Sequence, residues 1–402
     1  MKIFDAIHGF IELDQLETNI VRSLPFKRLT CINQIASATF IYCGGYHKRY
    51  DHSLGVMHVV SSIYDKIVAQ KRFRELFPDL DDEKVIYWRR VMRLAGLCHD
   101  IGHLPFSHTA EEELVGKKGH EKWSMRILRS PFIKPILDAG GILVEDVVKV
   151  AVGEEMYGTL YTPWEKMLTQ ILTADYFGGD RIDYLLRDSY FTGLAYGNFD
   201  HLQLIKNLTL LMHNGQITLG LEEDGLESCY ALLLSRYFMH KRLYQYHRVK
   251  QYWFHLKEIV KDFFEGKSIL TSVAEYIQVN DYDIFSEMNK ALFDPTHKSH
   301  EHARALMDQK EMIQVLSISL EEIQYLKERG ENHFFEKNDS PKEKMGLFFP
   351  VLLKNGMVVE AEEVAEVSIP VCAQNWVFAD EDSMRRIKQL LGDVAKNRKD
   401  FS

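Results

Sequence analysis

The stretch Leu94–His108 reads LAGLCHDIGHLPFSH. It begins as an apolar helix and then sets His99, Asp100, His103 and His108 close together, where Gly102 and Pro105 mark a helix end. Packing alone gives no reason for three imidazoles and a carboxylate beside a greasy segment. Neighbours inside a helix do not face each other. At a helix end, however, two adjacent side chains can turn toward one ion. An isolated His–Asp pair is most often only a hydrogen-bonded pair, so the reading depends on further ligands elsewhere in the chain.

Two other segments supply them. YHKRYDHSLGVMHVV places His52 at the start of a helix with Arg49 just ahead, and DYFGGDRIDYLLRDSYFTG offers Asp180, Arg181, Asp183, Tyr184, Arg187 and Asp188. Two imidazoles and two carboxylates make a mixed nitrogen and oxygen donor set, suited to a divalent Fe, Mn, Zn, Mg or Ni ion. Asp180, Tyr184 and Asp188 fall at i, i+4 and i+8, as do Arg236, His240 and Tyr244 in SRYFMHKRLY. Each set forms a polar stripe on an otherwise apolar helix, as a pocket between helices requires.

Helical periodicity dominates the rest: 56–70, 83–100, 163–177 and 230–264 all read as helices. LTLLMHNGQITLGL and PVLLKNGMVVEAEEV each carry Asn-Gly between strand-like runs, the signature of a type I′ hairpin. The polar stretch 328–346 reads as a loop or boundary. The expected fold is mainly α, with a helical core, small β-hairpins and a small α+β C-terminal part. A catalytic core is expected over 1–270 and a C-terminal region over 271–402. The five cysteines (Cys31, Cys43, Cys98, Cys229 and Cys372) form no CxxC pair, which points to reduced thiols. No signal-peptide pattern and no membrane-length apolar run is present, so a cytoplasmic protein without a membrane partner is expected. The net charge of −9 argues against a surface built for nucleic acid. Of the remaining histidines, His8 reads as structural.

With these residues in place, the chain resembles the HD-domain deoxynucleotide triphosphohydrolases, the family of bacterial dGTPases and the vertebrate SAM-and-HD-domain dNTPase, here without a SAM domain. The resemblance covers roughly residues 1–250 and rests on FDAIHGFIEL, FKRLTCINQI, RYDHSLGV, LCHDIGHLPFSH, GHEKWS, GDRIDYLLRD and SRYFMHKRLYQYH. It implies an HD-type helical core in which His52, His99, Asp100 and Asp180 bind the metal. It implies that His103, His108, Glu111 and His120 form a catalytic cluster, with His108 as the acid. Arg49 would lie against the α-phosphate and base, Arg181 and Arg236 would hold the outer phosphates, and Gln34 and Asp188 would bond the 3′-hydroxyl. Tyr184 and Tyr244 would crowd the 2′ position.

The implied reaction converts a dNTP to a deoxynucleoside and inorganic triphosphate, by attack of a metal-activated water on the α-phosphorus. The chemistry is consistent with that. A triphosphate carries about four negative charges, which a cation and arginines can stabilise in the transition state, and the poor leaving oxygen needs a proton from a group that titrates near neutrality. The family habit also implies a homo-oligomer, dimer or tetramer. Departures are visible too: Arg22 and Thr30 stand where the vertebrate enzyme reads a guanine nucleotide activator, and Tyr246 and His247 replace the usual His and Lys. Two alternatives stay open: an HD phosphohydrolase or phosphodiesterase acting on another nucleotide, and a catalytically silent nucleotide-binding regulator.

Overall fold

The computed structural model describes all residues except 268–269, 309–312, 332, 337–346, 371–374 and 400–402; in the last helix side chains are described only as far as 392. Helices make up most of the chain, so it is mainly α with small β elements. Three of them form the frame of the site: Arg49–Val68 packs against both Asp82–Cys98 and Gly179–Thr192. Asp81 caps the second by accepting from Lys84 N, and Asp82 and Glu83 complement its N-terminal dipole. The first crosses the third at Gly55, where a Cβ would lie 1.9 Å from Asp183 Oδ1.

The expected helices form, with two corrections. The single helix expected over 230–264 is three pieces: Leu226–Met239, a π turn at His240–Tyr244, and His247–Phe264. Gln245 N donates to His240 O at 2.7 Å, a five-residue step, and Tyr246 is extended. A wide turn of this kind interrupts helical spacing and is frequent at functional sites. The helix at 163–177 stops at Thr173, because Ala174 leaves helical geometry.

Nine strands are described: β1 (Lys2–Asp5), β2 (Gly9–Glu12), β3 (Leu208–His213), β4 (Gln216–Glu222), β5 (Gln314–Ile318), β6 (Phe334–Glu336), β7 (Pro350–Leu352), β8 (Val358–Glu360) and β9 (Asn375–Ala379). They form a β1–β2 hairpin, a β3–β4–β7–β8 sheet and a β5–β9–β6 sheet. Both expected hairpins are present. Asn214 and Gly215 close β3–β4 with positive φ at each, as a type I′ turn requires. The β7–β8 turn is different. Leu353 and Met357 pair across three residues, and only Gly356 has positive φ, the pattern of a type I turn with a bulge. Part of the expected 328–346 loop is strand β6; 337–346 and Cys372 lie outside the described residues.

The main core runs from Ile11 through Phe26, Val60, Leu97, Ile182 and Leu256, and also takes in Tyr276, Ile284, Phe349 and Val351. A smaller core of Ile318, Ile323, Leu326, Val377, Met384 and Ile387 lies around β5 and β9. Val351 enters the main core because β7 pairs in parallel with β4, Leu221 facing Val351. Residues on both sides of position 270 therefore build one interior. No helix among the described residues is long and apolar enough to cross a membrane.

Candidate metal and active site

His52 sits in the first turn of its helix, His99 caps the end of Asp82–Cys98 with Asp100 following, and Asp180 lies in the first turn of Gly179–Thr192. The three helix ends meet, so four candidate ligands from distant segments converge. His52 Nε2 lies 3.0 Å from Asp180 Oδ1 and 3.6 Å from Asp100 Oδ2. His99 Nε2 lies 3.3 Å from Asp100 Oδ1 and 3.5 Å from Asp180 Oδ1, and is buried with no hydrogen bond of its own.

The outer nitrogens settle how these rings point. His99 Nδ1 is 2.8 Å from Gly96 O, and His52 Nδ1 is 2.8 Å from Asp183 Oδ2. A ring whose Nδ1–H is donated outward presents the Nε2 lone pair inward, the arrangement metal-binding histidines adopt. Two inward lone pairs, two carboxylates and an orphaned buried Nε2 fit a divalent cation. Electrostatics agree. Burial opposes charging His52, yet hydrogen bonds to Asp180 and Asp183 and the charges of Asp183 and Asp100 raise its pKa to about 10. Burial raises the Asp100 carboxyl, but His99, Arg49 and His103 outweigh it and hold it well below the usual range. That negative field is what a cation would meet.

Behind the ligands lies a buried network that sequence reasoning only partly found. Asp183 holds His52 through one oxygen and His8 Nε2 at 2.7 Å through the other, and Arg187 reaches both oxygens at 2.9 Å. Arg187 also donates to Asp5 Oδ2 at 2.8 Å and is fully buried. His8 thus has its structural role, and Asp183 and Arg187 are orienting groups.

Beside the ligands stands the second group. The His103 and His120 rings stack at 4.0 Å, and His108 meets both edge-on at 4.7 and 5.0 Å. Glu111 accepts from His108 Nδ1 and His120 Nδ1, each at 2.7 Å, and from the His120 amide at 2.8 Å. Burial works to raise the Glu111 carboxyl, but these bonds hold it far below the usual range. Burial, then Arg49 and His120, push His103 well below ordinary histidine, so it is neutral. His103 Nε2 lies 3.2 Å from Asp100 Oδ1 and links the two groups. Glu111 therefore pins His108 by one nitrogen while the side chain stays 64% exposed.

Both groups face one cavity of about 650 Å³. Its walls include Gln34, Arg49, Tyr184, Asp188, His240 and Tyr244. Arg49 donates to Asp100 and, from Nε, to Ser107 Oγ at 2.7 Å. Asp188 accepts from Tyr244 OH at 2.6 Å, and its other oxygen lies 2.7 Å from His47 Nε2, a residue sequence reasoning missed. Gln34 Oε1 is buried without a hydrogen bond. Arg181 and Arg236 do not line this cavity. Arg181 Nε lies 3.4 Å from Tyr184 OH, and together with burial both arginines lower His240 to about 3. Both arginines are half-buried, with Arg181 Nη2 3.6 Å from Asp175 Oδ1.

Residues 49–160 match the family model described as the HD domain. An uncharacterised protein of Methanocaldococcus jannaschii is 30% identical over 251 residues, 62% of this chain and 47% of that protein. The human deoxynucleoside triphosphate triphosphohydrolase SAMHD1 is 28% identical over 274 residues, 61% of this chain and 42% of that protein. The chain spans about half the length of these relatives. Among solved structures, a hypothetical protein from Aquifex aeolicus matches with a TM-score of 0.76 and 27% identity, covering 97% of this chain and 99% of the other. A phosphohydrolase from Bacteroides thetaiotaomicron shares the fold at a TM-score of 0.74 and 20% identity, covering 95% and 99%.

Proposed function

We propose that this chain, whose residues 49–160 match the HD domain model, is a phosphohydrolase that converts dNTPs to a deoxynucleoside and inorganic triphosphate. The observation that carries this is the convergence of His52, His99, Asp100 and Asp180 on the floor of a cavity whose wall holds Gln34, Tyr184, Asp188 and Tyr244. The similarity to SAMHD1 supports the substrate class.

A divalent ion at the four ligands (Fe, Mn, Mg, Zn or Ni) would acidify water and neutralise phosphate charge. The chain's own residues do the rest. Arg49 faces the α-phosphate, held in place by Asp100 and Ser107. As water oxygen bonds to the α-phosphorus and the bond to O5′ breaks, His108 protonates the departing O5′. With Nδ1 tied to Glu111, that proton comes from Nε2. His103 and His120 meet the imidazole edge-on and leave its other side open. Gln34 and Asp188 take the 3′-hydroxyl, and Tyr184 and Tyr244 leave no room for a 2′-hydroxyl. Arg181 and Arg236 hold the outer phosphates. We also propose a cytoplasmic homo-oligomer, dimer or tetramer, with a catalytic core over 1–270.

Because neither Arg181 nor Arg236 is among the residues lining the cavity, a nucleotide with a single phosphate is the second reading. Purified protein loaded in turn with Mn, Mg, Fe and Co should release triphosphate from at least one dNTP, alone or in a mixture of all four. The His99→Ala/Asp100→Ala double variant should release none. Release of inorganic phosphate from monophosphates, with dNTPs untouched, would favour the second reading and sink the first.

A further inference from the structure

Asp281 opens the helix Asp281–Phe293, well past the HD domain, and is 1% exposed. Its Oδ1 accepts from the Phe106 amide at 2.7 Å and its Oδ2 from the Asn33 amide at 2.8 Å. Phe106 lies two residues before His108, and Asn33 precedes Gln34. The loop needs such a hold. Phe106 and Ser107 adopt φ of 53° and 58°, consecutive non-glycine residues in the left-handed region, a conformation that persists only where surroundings enforce it.

The same short segment supports the loop elsewhere. Tyr276 OH donates to Gly102 O at 2.5 Å, and Arg28 bridges His103 O at 2.8 Å to Val279 O at 2.6 Å. Ser107 Oγ closes the circuit by donating to Asn33 O at 3.1 Å.

We propose that Asp281 is a positioning residue for catalysis: one carboxylate clamps the His108 loop and the Gln34 loop in a fixed mutual geometry. The proposal rests on the function inferred above. A carboxylate suits the task because it accepts two amide protons at once, whereas an Asn side chain accepts one and turns a donor toward the other. Burial raises the Asp281 carboxyl to about 6 against the two amides, Lys48 and Arg28. The fold thus keeps a buried charge where a neutral group would be cheaper to bury.

The test compares Asp281→Asn with Asp283→Ala in the metal-loaded full chain. Asp283 holds the Asn280 amide at 2.8 Å in the same helix cap and does not bond to either loop, so it controls for loss of the helix start. Asp281→Asn should lower kcat at least tenfold, leave metal content unchanged, and speed amide exchange in 102–108 and 33–34. Asp283→Ala should keep kcat within about twofold at a similar loss of Tm. Equal kcat losses in both variants, or unchanged exchange in both loops of Asp281→Asn, would overturn the proposal. If Asp281→Asn does not fold, Asp281→Glu keeps the charge and displaces the carboxylate from the two amides, and unchanged kcat with unchanged exchange in both loops overturns the proposal equally. A wild-type protein inactive on every nucleotide refutes the proposed function, and exchange alone then decides the role of Asp281.

Discussion

Asp183 never faces the cavity, yet it decides which way His52 points. One oxygen takes His52 Nδ1 at 2.8 Å, and Arg187 and His8 hold the carboxylate from behind. Carboxylates in this position fix the tautomer and basicity of a metal-binding ring, and their loss weakens metal affinity about 10–100-fold. Asp183→Asn should show a loss of that size when the protein competes with a chelating dye for Mn or Co. Asp188→Asn, eight residues past Asp180 on the sugar side, should leave affinity unchanged; equal affinities for wild type and Asp183→Asn would refute the orienting role. The proposed ligands and the histidine cluster came from the family resemblance, because a His–Asp pair alone is most often only a hydrogen-bonded pair; the structure brings the members of each set close together. His47, Ser107 and Asp281 were not legible in the sequence. Their partners are a carboxylate 141 residues away or backbone groups, and no local pattern announces such a partner.

At the scale of elements, the site depends on how closely the 99–108 loop lies against the helix Gly119–Leu128. Gly102 makes that approach possible: a Cβ there would lie 2.1 Å from His120 O and 2.3 Å from Ser124 N, both backbone atoms. Ser124 Oγ also donates to His99 O and accepts from the Gly102 amide. Gly102→Ala must push the loop off the helix, which should cost about 1–3 kcal/mol and separate His103 from His120. A urea titration measures the first effect and turnover the second; a stable, fully active variant would contradict the packing argument. Elements set by local chemistry were readable in the sequence. The capping box of Thr162 and Glu165 starts a helix at Pro163, and Asn214-Gly215 closes a hairpin. The π turn at 240–244 was not readable, because Arg236, His240 and Tyr244 also fit an ordinary helix. Nor was the parallel pairing of β7 with β4, since a register between strands over a hundred residues apart depends on the assembled core.

Across the whole molecule, buried neutral histidines make stability fall in acid. Burial and the neighbouring His302 lower His255 to about 4, and burial with Arg236, Arg181 and Lys250 lowers His240 to about 3. In the unfolded chain both titrate near 6.5. Between pH 6.5 and 4 the unfolded state therefore binds more protons than the native one, and stability rises with pH. This contribution is fully present above pH 6.5 and is lost as pH falls toward 4 and then 3. Asp281 runs the other way: its carboxyl, raised to about 6 by burial, gains a proton first in the native state and offsets part of the loss below pH 6. His255 isolates one contribution. Its Nδ1 faces His302 Nδ1 at 3.0 Å, so the pair holds one proton between them and resists a second. His255→Gln removes that site far from the metal ligands. Unfolding free energies from urea titrations at pH 6.5, 5.5 and 4.5 should fall toward acid in the wild type. The variant's slope between pH 6 and 4.5 should be shallower by up to one proton, about 1.4 kcal/mol per pH unit. Parallel slopes would mean that His255 charges as readily in the fold as outside it, and would refute a neutral His255 buried against Phe254 and His302.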